Sequence, residues 1–190
     1  MTAQISDNFL LDQTEYVLAG ISGKELFSPQ AFGLTPVASC TACWRGYQAV
    51  FTILKEQLHL HTLSLNVKDD NELPALGNAT AERIDSHFLT WRYEQADVAM
   101  DYTGGLLLGQ DLIRKLSVHM GFQKVWKYER VVELIFENGR LIRRLDQSAK
   151  IAEIRETMLA RMANKKGKVH GLYDDAAQFV ADAFDRGYRF

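Results

Sequence analysis

The chain is poor in cysteine and proline, with 2 and 3 among 190 residues. The two cysteines lie three positions apart, which excludes the many-bridged framework of a small secreted scaffold. Nor is a staple needed, since a chain this long buries roughly 70% of the surface its unfolded form exposes. Neither charge sign is in excess. Acidic and basic side chains number 24 and 22, for a formal net charge of −2. That balance lacks the Lys/Arg surplus of a nucleic-acid binder. No run approaches the ~20 apolar residues needed to span a bilayer. The start, "MTAQISDNFLLDQ", lacks the basic stretch and apolar run of a secretory signal. The expectation is a soluble, cytoplasmic protein with reduced thiols and neither a nucleic-acid nor a membrane partner. No P-loop, nucleophile elbow, HExxH or dinucleotide fingerprint occurs. The acidic pairs Asp69-Asp70 and Asp174-Asp175 read as a solvated loop and a helix start. Lys165, Lys166 and Lys168 read as an exposed loop.

Strand patterning is plentiful. "WRGYQAVFTIL" places Tyr47, Ala49, Phe51 and Ile53 on one side, "KEQ" reverses the chain, and "LHLHTLSLNV" alternates again. Two period-two runs around a short polar break predict a hairpin. The apolar set changes face near Thr62, which predicts a bulge there. "FLTWRYEQADVAMDYTGGLLLGQDLI" supplies further short strands, interrupted at Gly104 and Gly105. The sharpest hairpin is "VVELIFENGRLIRRL", because Asn138-Gly139 tolerates positive φ at both centres of a type I′ turn. Residues 1–39 show little periodicity. They read as an arm that wraps the domain and inserts Tyr16, Leu18, Leu26, Phe27 and Phe32.

After Asp146 the period becomes 3.6. Ile151, Ile154, Met158, Leu159 and Met162 line one stripe of a helix over about 149–163, with Ser148 as its cap. A second helix starts at Asp174 or Asp175, with Ala176, Ala177, Val180 and Phe184 as its stripe. Strands first and helices last predict an α+β fold, a mainly antiparallel sheet or partly closed barrel followed by two C-terminal helices. The division is a β-rich core over 1–147 and a two-helix extension over 148–190. Nothing suggests a parallel, doubly wound sheet.

The sharpest constellation is Cys40, Cys43, His59 and His61, spelling C-x2-C and then H-x-H. Thiolate and imidazole are good zinc ligands, and positions i and i+2 of a strand share a face. Against a metal site, zinc fingers carry their histidines on a helix, and a core of this size needs no zinc. Packed cysteines and a solvent-facing histidine pair explain the residues better. A redox role for the cysteines is weaker still, because a strand and not a helix follows them. Three other stretches, "WRGY", "DYTGG" and "VHMGF", each join glycine to aromatic and polar residues. With "VWKY" they offer Trp44, Arg45, Tyr47, Tyr102, His119, Trp126 and Tyr128 as binding residues. Glycine-marked bulges and aromatic cores would produce the same residues.

The spaced set "ISGKELFSPQAFGLTP", "TACWRGYQAVFTI", "DYTGGLLL", "VHMGFQKVWKY" and "LIFENGRL" resembles an uncharacterised family of small bacterial proteins over residues 9–147. That resemblance implies no activity, cofactor or catalytic residue. The leading expectation is a non-enzymatic binding protein that recognises a protein partner or small ligand and needs no cofactor. The alternatives are a small hydrolase or isomerase with His119 as acid/base, helped by Tyr102 or Tyr128, and a zinc-stabilised module. The C-terminal helices either pack on the sheet or form a homodimer.

Overall fold

A computed structural model describes residues 2–68, 73–86, 88–164, 173 and 175–188. Ten strands form one sheet: β1 Asn8–Leu11, β2 Thr14–Gly23, β3 Tyr47–Leu54, β4 Gln57–Leu65, β5 Glu82–Arg83, β6 Trp91–Tyr93, β7 Val98–Ala99, β8 Gly104–Leu112, β9 Tyr128–Glu137 and β10 Arg140–Asp146. Two helices follow, α1 Ser148–Asn164 and α2 Ala176–Phe184. The sheet runs β10-β9-β8-β2-β1-β3-β4-β6-β5, and β10 also meets β4 at Arg140 and Gln57. The order therefore curls into a partial ring, as an α+β fold with a partly closed barrel requires. Among the described residues no helix is long and apolar enough to cross a membrane.

Three two-residue turns build the hairpins. Asp12-Gln13, Lys55-Glu56 and Asn138-Gly139 all take positive φ at both positions, the type I′ pattern. The expected bulge is present. Val50 pairs with Thr62 and Phe51 with Leu60, leaving His61 as the extra residue. Beyond it the apolar residues of β4 keep facing the core, and Leu58, Leu60, Leu63 and Leu65 are all fully buried.

Residues 8–11 and 14–23 are strands of the sheet and not part of a wrapping arm, while residues 24–39 carry no strand and bury Leu26, Phe27 and Leu34. β1 and β2 lie inside the sheet order, and β1 pairs parallel with β3 through Phe9 and Phe51. The sheet is thus mixed. β2 escapes a periodicity search because both its faces are covered. Leu18 enters the main core, while Ala19 joins a second cluster outside the ring with Leu107, Tyr128, Val131 and Ile151. Of the expected inserts, Leu18, Leu26 and Phe27 are buried, and Tyr16 and Phe32 pack against the core.

Both helices differ in detail from their patterns. Ser148 is the first residue of α1 and not its cap. Its hydroxyl accepts from the Val131 N–H, and the Asp146 carboxylate accepts from the Ser148 N–H. Hydrogen bonding from the Ser148 side chain, and then from its backbone N–H, holds the Asp146 carboxyl below its usual pKa. Only Ile151 of the α1 stripe is buried, and Leu159 is exposed. In α2 the buried residues are Phe179 and Ala183, whereas Ala176 and Ala177 face solvent. Asp175 caps α2 by accepting from the Gln178 N–H. The pair Asp69-Asp70, the residue Asp174 and the lysines 165, 166 and 168 lie outside the described residues.

Candidate functional site

The zinc set is dispersed. Cys43 precedes Tyr47, which pairs with Leu65, while His59 pairs with Thr52. Those pairs are five steps apart along the first strand, about 17 Å at ~3.3 Å each, and metal–ligand bonds are near 2 Å. The imidazoles are used locally. His59 Nδ1 lies 2.8 Å from the Asp97 carbonyl, and His61 Nδ1 lies 2.8 Å from the Asp97 carboxylate. Cys40 and Cys43 sit in a turn, with the Cys43 N–H donating to the Cys40 carbonyl. Both thiols are free. Burial pushes the Cys43 thiol up, outweighing the nearby Arg45 charge, which is the opposite of an activated thiol. Among the described residues no cluster of three or more metal-ligating side chains forms.

The aromatic and arginine residues do not converge on one cavity. Trp44 is 60% exposed and touches Phe184 at a ring separation of 6.0 Å. Tyr102 is fully buried, and its hydroxyl lies 2.5 Å from the Ser22 carbonyl and 3.1 Å from that of Gly105. It pins β2 to β8. Tyr128 is buried beneath α1. His119 is exposed and joins none of the hydrogen bonds among the described residues. A general acid or base needs a partner within hydrogen-bond reach, so His119 offers no support for the enzyme reading.

Arg45 and Tyr47 meet at a residue with no motif of its own, Asp7. The Arg45 guanidinium grips its carboxylate through two bonds, at 2.8 and 2.9 Å. Arg186, near the other end of the chain, adds a third at 2.9 Å, and the Ala49 N–H a fourth at 3.0 Å. Burial by itself would raise the Asp7 pKa. The two arginines and the bonds from Arg45 and Ala49 outweigh it and hold the carboxyl below its usual range. Arg45 lies 4.5 Å from the Tyr47 ring centroid, and Arg186 lies 4.8 Å from that of Phe122. A cavity of about 180 Å³ adjoins this cluster. The Asp7 carboxylate is fully engaged, shared by two guanidinium groups and a backbone N–H, so the cluster works as a clasp between the start of the first strand, the third strand and the C-terminal segment.

Phe122 also lines a second cavity, of about 240 Å³. Leu116, Val118, Trp126, Met162 and Phe179 provide most of its apolar wall. The segment 117–123 is held by a side-chain clasp, in which Gln123 Nε2 donates to the Val118 carbonyl and Gln123 Oε1 accepts from the Val118 N–H. Lys127, in the 3-10 turn Val125–Lys127, lines this cavity and is only 4% exposed. Its Nζ lies 3.3 Å from Gln123 Oε1 and 5.4 Å from the Trp126 ring centroid. Burial, reinforced by the neighbouring Lys124 charge, lowers its pKa to about 8, with Asp182 acting weakly the other way. Asp182 is already engaged, by Lys124 at 3.0 Å and by the Tyr173 hydroxyl. Among the described residues no carboxylate forms an ion pair with Lys127.

Of the expected binding residues, only Trp126 belongs to this cavity. Lys127 is its next neighbour in sequence, yet a single lysine between two aromatics carries no signal. The cavity it lines is completed by Phe179, Asp182 and Ala183 of α2, more than 50 residues further along the chain.

No family model, curated protein or solved structure matches this chain.

Proposed function

We propose that the protein is a non-enzymatic binding protein for a small, largely apolar molecule that carries one carboxylate. The observation behind this reading is the unmatched Lys127 in an apolar cavity. A buried ammonium without a counter-ion is unfavourable, and an incoming carboxylate supplies the missing charge. Lys115 and Lys124 add positive charge at the same cavity, against Asp182 alone. A cavity of 150 Å³ holds benzene, so about 240 Å³ suits an aromatic or short-chain acid. Trp126 and Phe122 offer flat faces to such a body.

The test is a titration, followed by protein NMR, with benzoate, phenylacetate and hexanoate beside the corresponding neutral amides. Saturable binding of the acids, at least tenfold tighter than the amides, is expected. Lys127→Met should remove that preference, and Met162→Trp should block the cavity altogether. Equal binding of acid and amide, or binding indifferent to Met162→Trp, would overturn the reading.

A further inference from the structure

We propose that Lys127 captures small apolar aldehydes covalently, as a reversible imine on its Nζ inside this cavity. The proposal rests on ligand access to the same cavity but not on recognition of a carboxylate. Imine formation requires a neutral amine beside a space that admits the carbonyl and limits water. Lys127 lines a cavity whose wall is mostly apolar. No carboxylate holds its nitrogen in the ammonium form, because Asp182 is committed to Lys124 and Tyr173. The titratable or charged groups that share the cavity with it are Lys115, Lys124, Tyr173 and Asp182. Gln123 Oε1, at 3.3 Å, orients the amine. The Trp126 face, at 5.4 Å, suits the cationic iminium that forms.

The lowered pKa, about 8, adds a rate advantage. Near pH 7.5 the neutral fraction exceeds that of an ordinary lysine on the order of a hundredfold. In the step itself, the Nζ lone pair forms the C–N bond while the carbonyl π pair moves to oxygen. Proton transfer from nitrogen to oxygen gives a carbinolamine. Loss of water breaks the C–O bond and leaves the imine, and hydrolysis reverses the sequence. No oxidant or reductant takes part.

Several other lysines provide an internal control. Lys24, Lys55, Lys68, Lys115 and Lys150 are exposed, and Lys124 is ion-paired with Asp182. The full chain is incubated with hexanal and cyanoborohydride at pH 7.5, so that hydride adds to the imine carbon and fixes a secondary amine. Peptide mapping then reads the position. The expected result is hexyl addition at Lys127 at least tenfold faster than at any other lysine, abolished by Met162→Trp and slowed by excess hexanoate. Labelling spread over the exposed lysines, or a Lys127 rate equal to theirs, overturns the proposal. Saturable hexanoate binding without Lys127 labelling refutes capture and leaves the carboxylate reading standing. Lys127 labelling without hexanoate binding does the reverse. Thermal melting of Met162→Trp checks that its fold survives.

Discussion

Asp7 and Lys127 are buried to the same degree, at 3% and 4% exposure, and Phe122 adjoins the surroundings of both. Asp7 receives four bonds, three of them from guanidinium groups. Lys127 donates one long bond, to the Gln123 amide oxygen. The first environment holds a charge in place, and its carboxyl pKa falls. The second resists a charge, and its ammonium pKa also falls. The same direction of shift therefore has opposite meanings for an acid and a base. Complete pairing marks a structural clasp, and incomplete pairing beside a cavity marks a place where something else can bind.

The sharpest way to break this contrast is Asp7→Asn. It leaves two half-buried arginines without their buried carboxylate, and breaking such a pair destabilises by up to about 3–5 kcal/mol. Urea unfolding should show that loss. The wild-type contribution from Asp7 has a defined sign with pH. Its folded pKa is lowered, so the stabilisation is present above the unfolded value of about 3.9 and is lost as pH falls through the folded value. Acid titration of wild type should show this component, and Asp7→Asn should lack it.

Lys127→Met should act in the other direction, stabilising by about 1–3 kcal/mol at pH 7, since apolar groups replace an unpaired buried charge. Between pH 8 and 10.5 the unfolded chain holds a proton that the folded chain has released. Wild-type stability therefore rises across that window, and the advantage of Lys127→Met shrinks. Thermal melts at pH 7 and pH 10 measure both arms. A variant less stable than wild type at pH 7 would mean that Lys127 is satisfied after all.

Phe122→Leu touches both regions at once. It removes the ring beneath Arg186 and one wall of the cavity, and should lower stability by about 1–2 kcal/mol while weakening any cavity ligand. If ligand affinity is unchanged, the two regions are independent. The smallest effect is expected at His119. His119→Ala should change stability by less than about 0.5 kcal/mol and leave the cavity titration unaltered, because the side chain is exposed.

Much of the fold could be read from local chemistry. Asn138-Gly139 located one hairpin, and the phase change near Thr62 located a bulge one residue away, at His61. The reversal at "KEQ" followed from the alternation on either side of it, but its type I′ geometry and the turn at Asp12-Gln13 could not be recognised, because Gln13, Lys55 and Glu56 are side chains that avoid positive φ. β2 was hidden for a different reason. Its burial on two faces removes the alternation that marks a half-buried strand. The candidate site was less legible than the fold. Trp126 and Arg45 stood out as residue types, but one lines the cavity and the other completes a clasp. The H-x-H and C-x2-C spacings stand out, but strand register places the histidines along the second strand of the hairpin and the cysteines before its first.

The sequence by itself determined that a β-rich region precedes two helices, one tight turn, the bulge and most of the core face, because each depends on neighbours within a few positions. Only the tertiary structure decided the parallel pairing of β1 with β3, the bonding of Asp7 to Arg45 and Arg186, and the isolation of Lys127. Those features join residues far apart in the chain. The charge state of a buried group depends on which distant partners reach it, and local pattern carries no record of them.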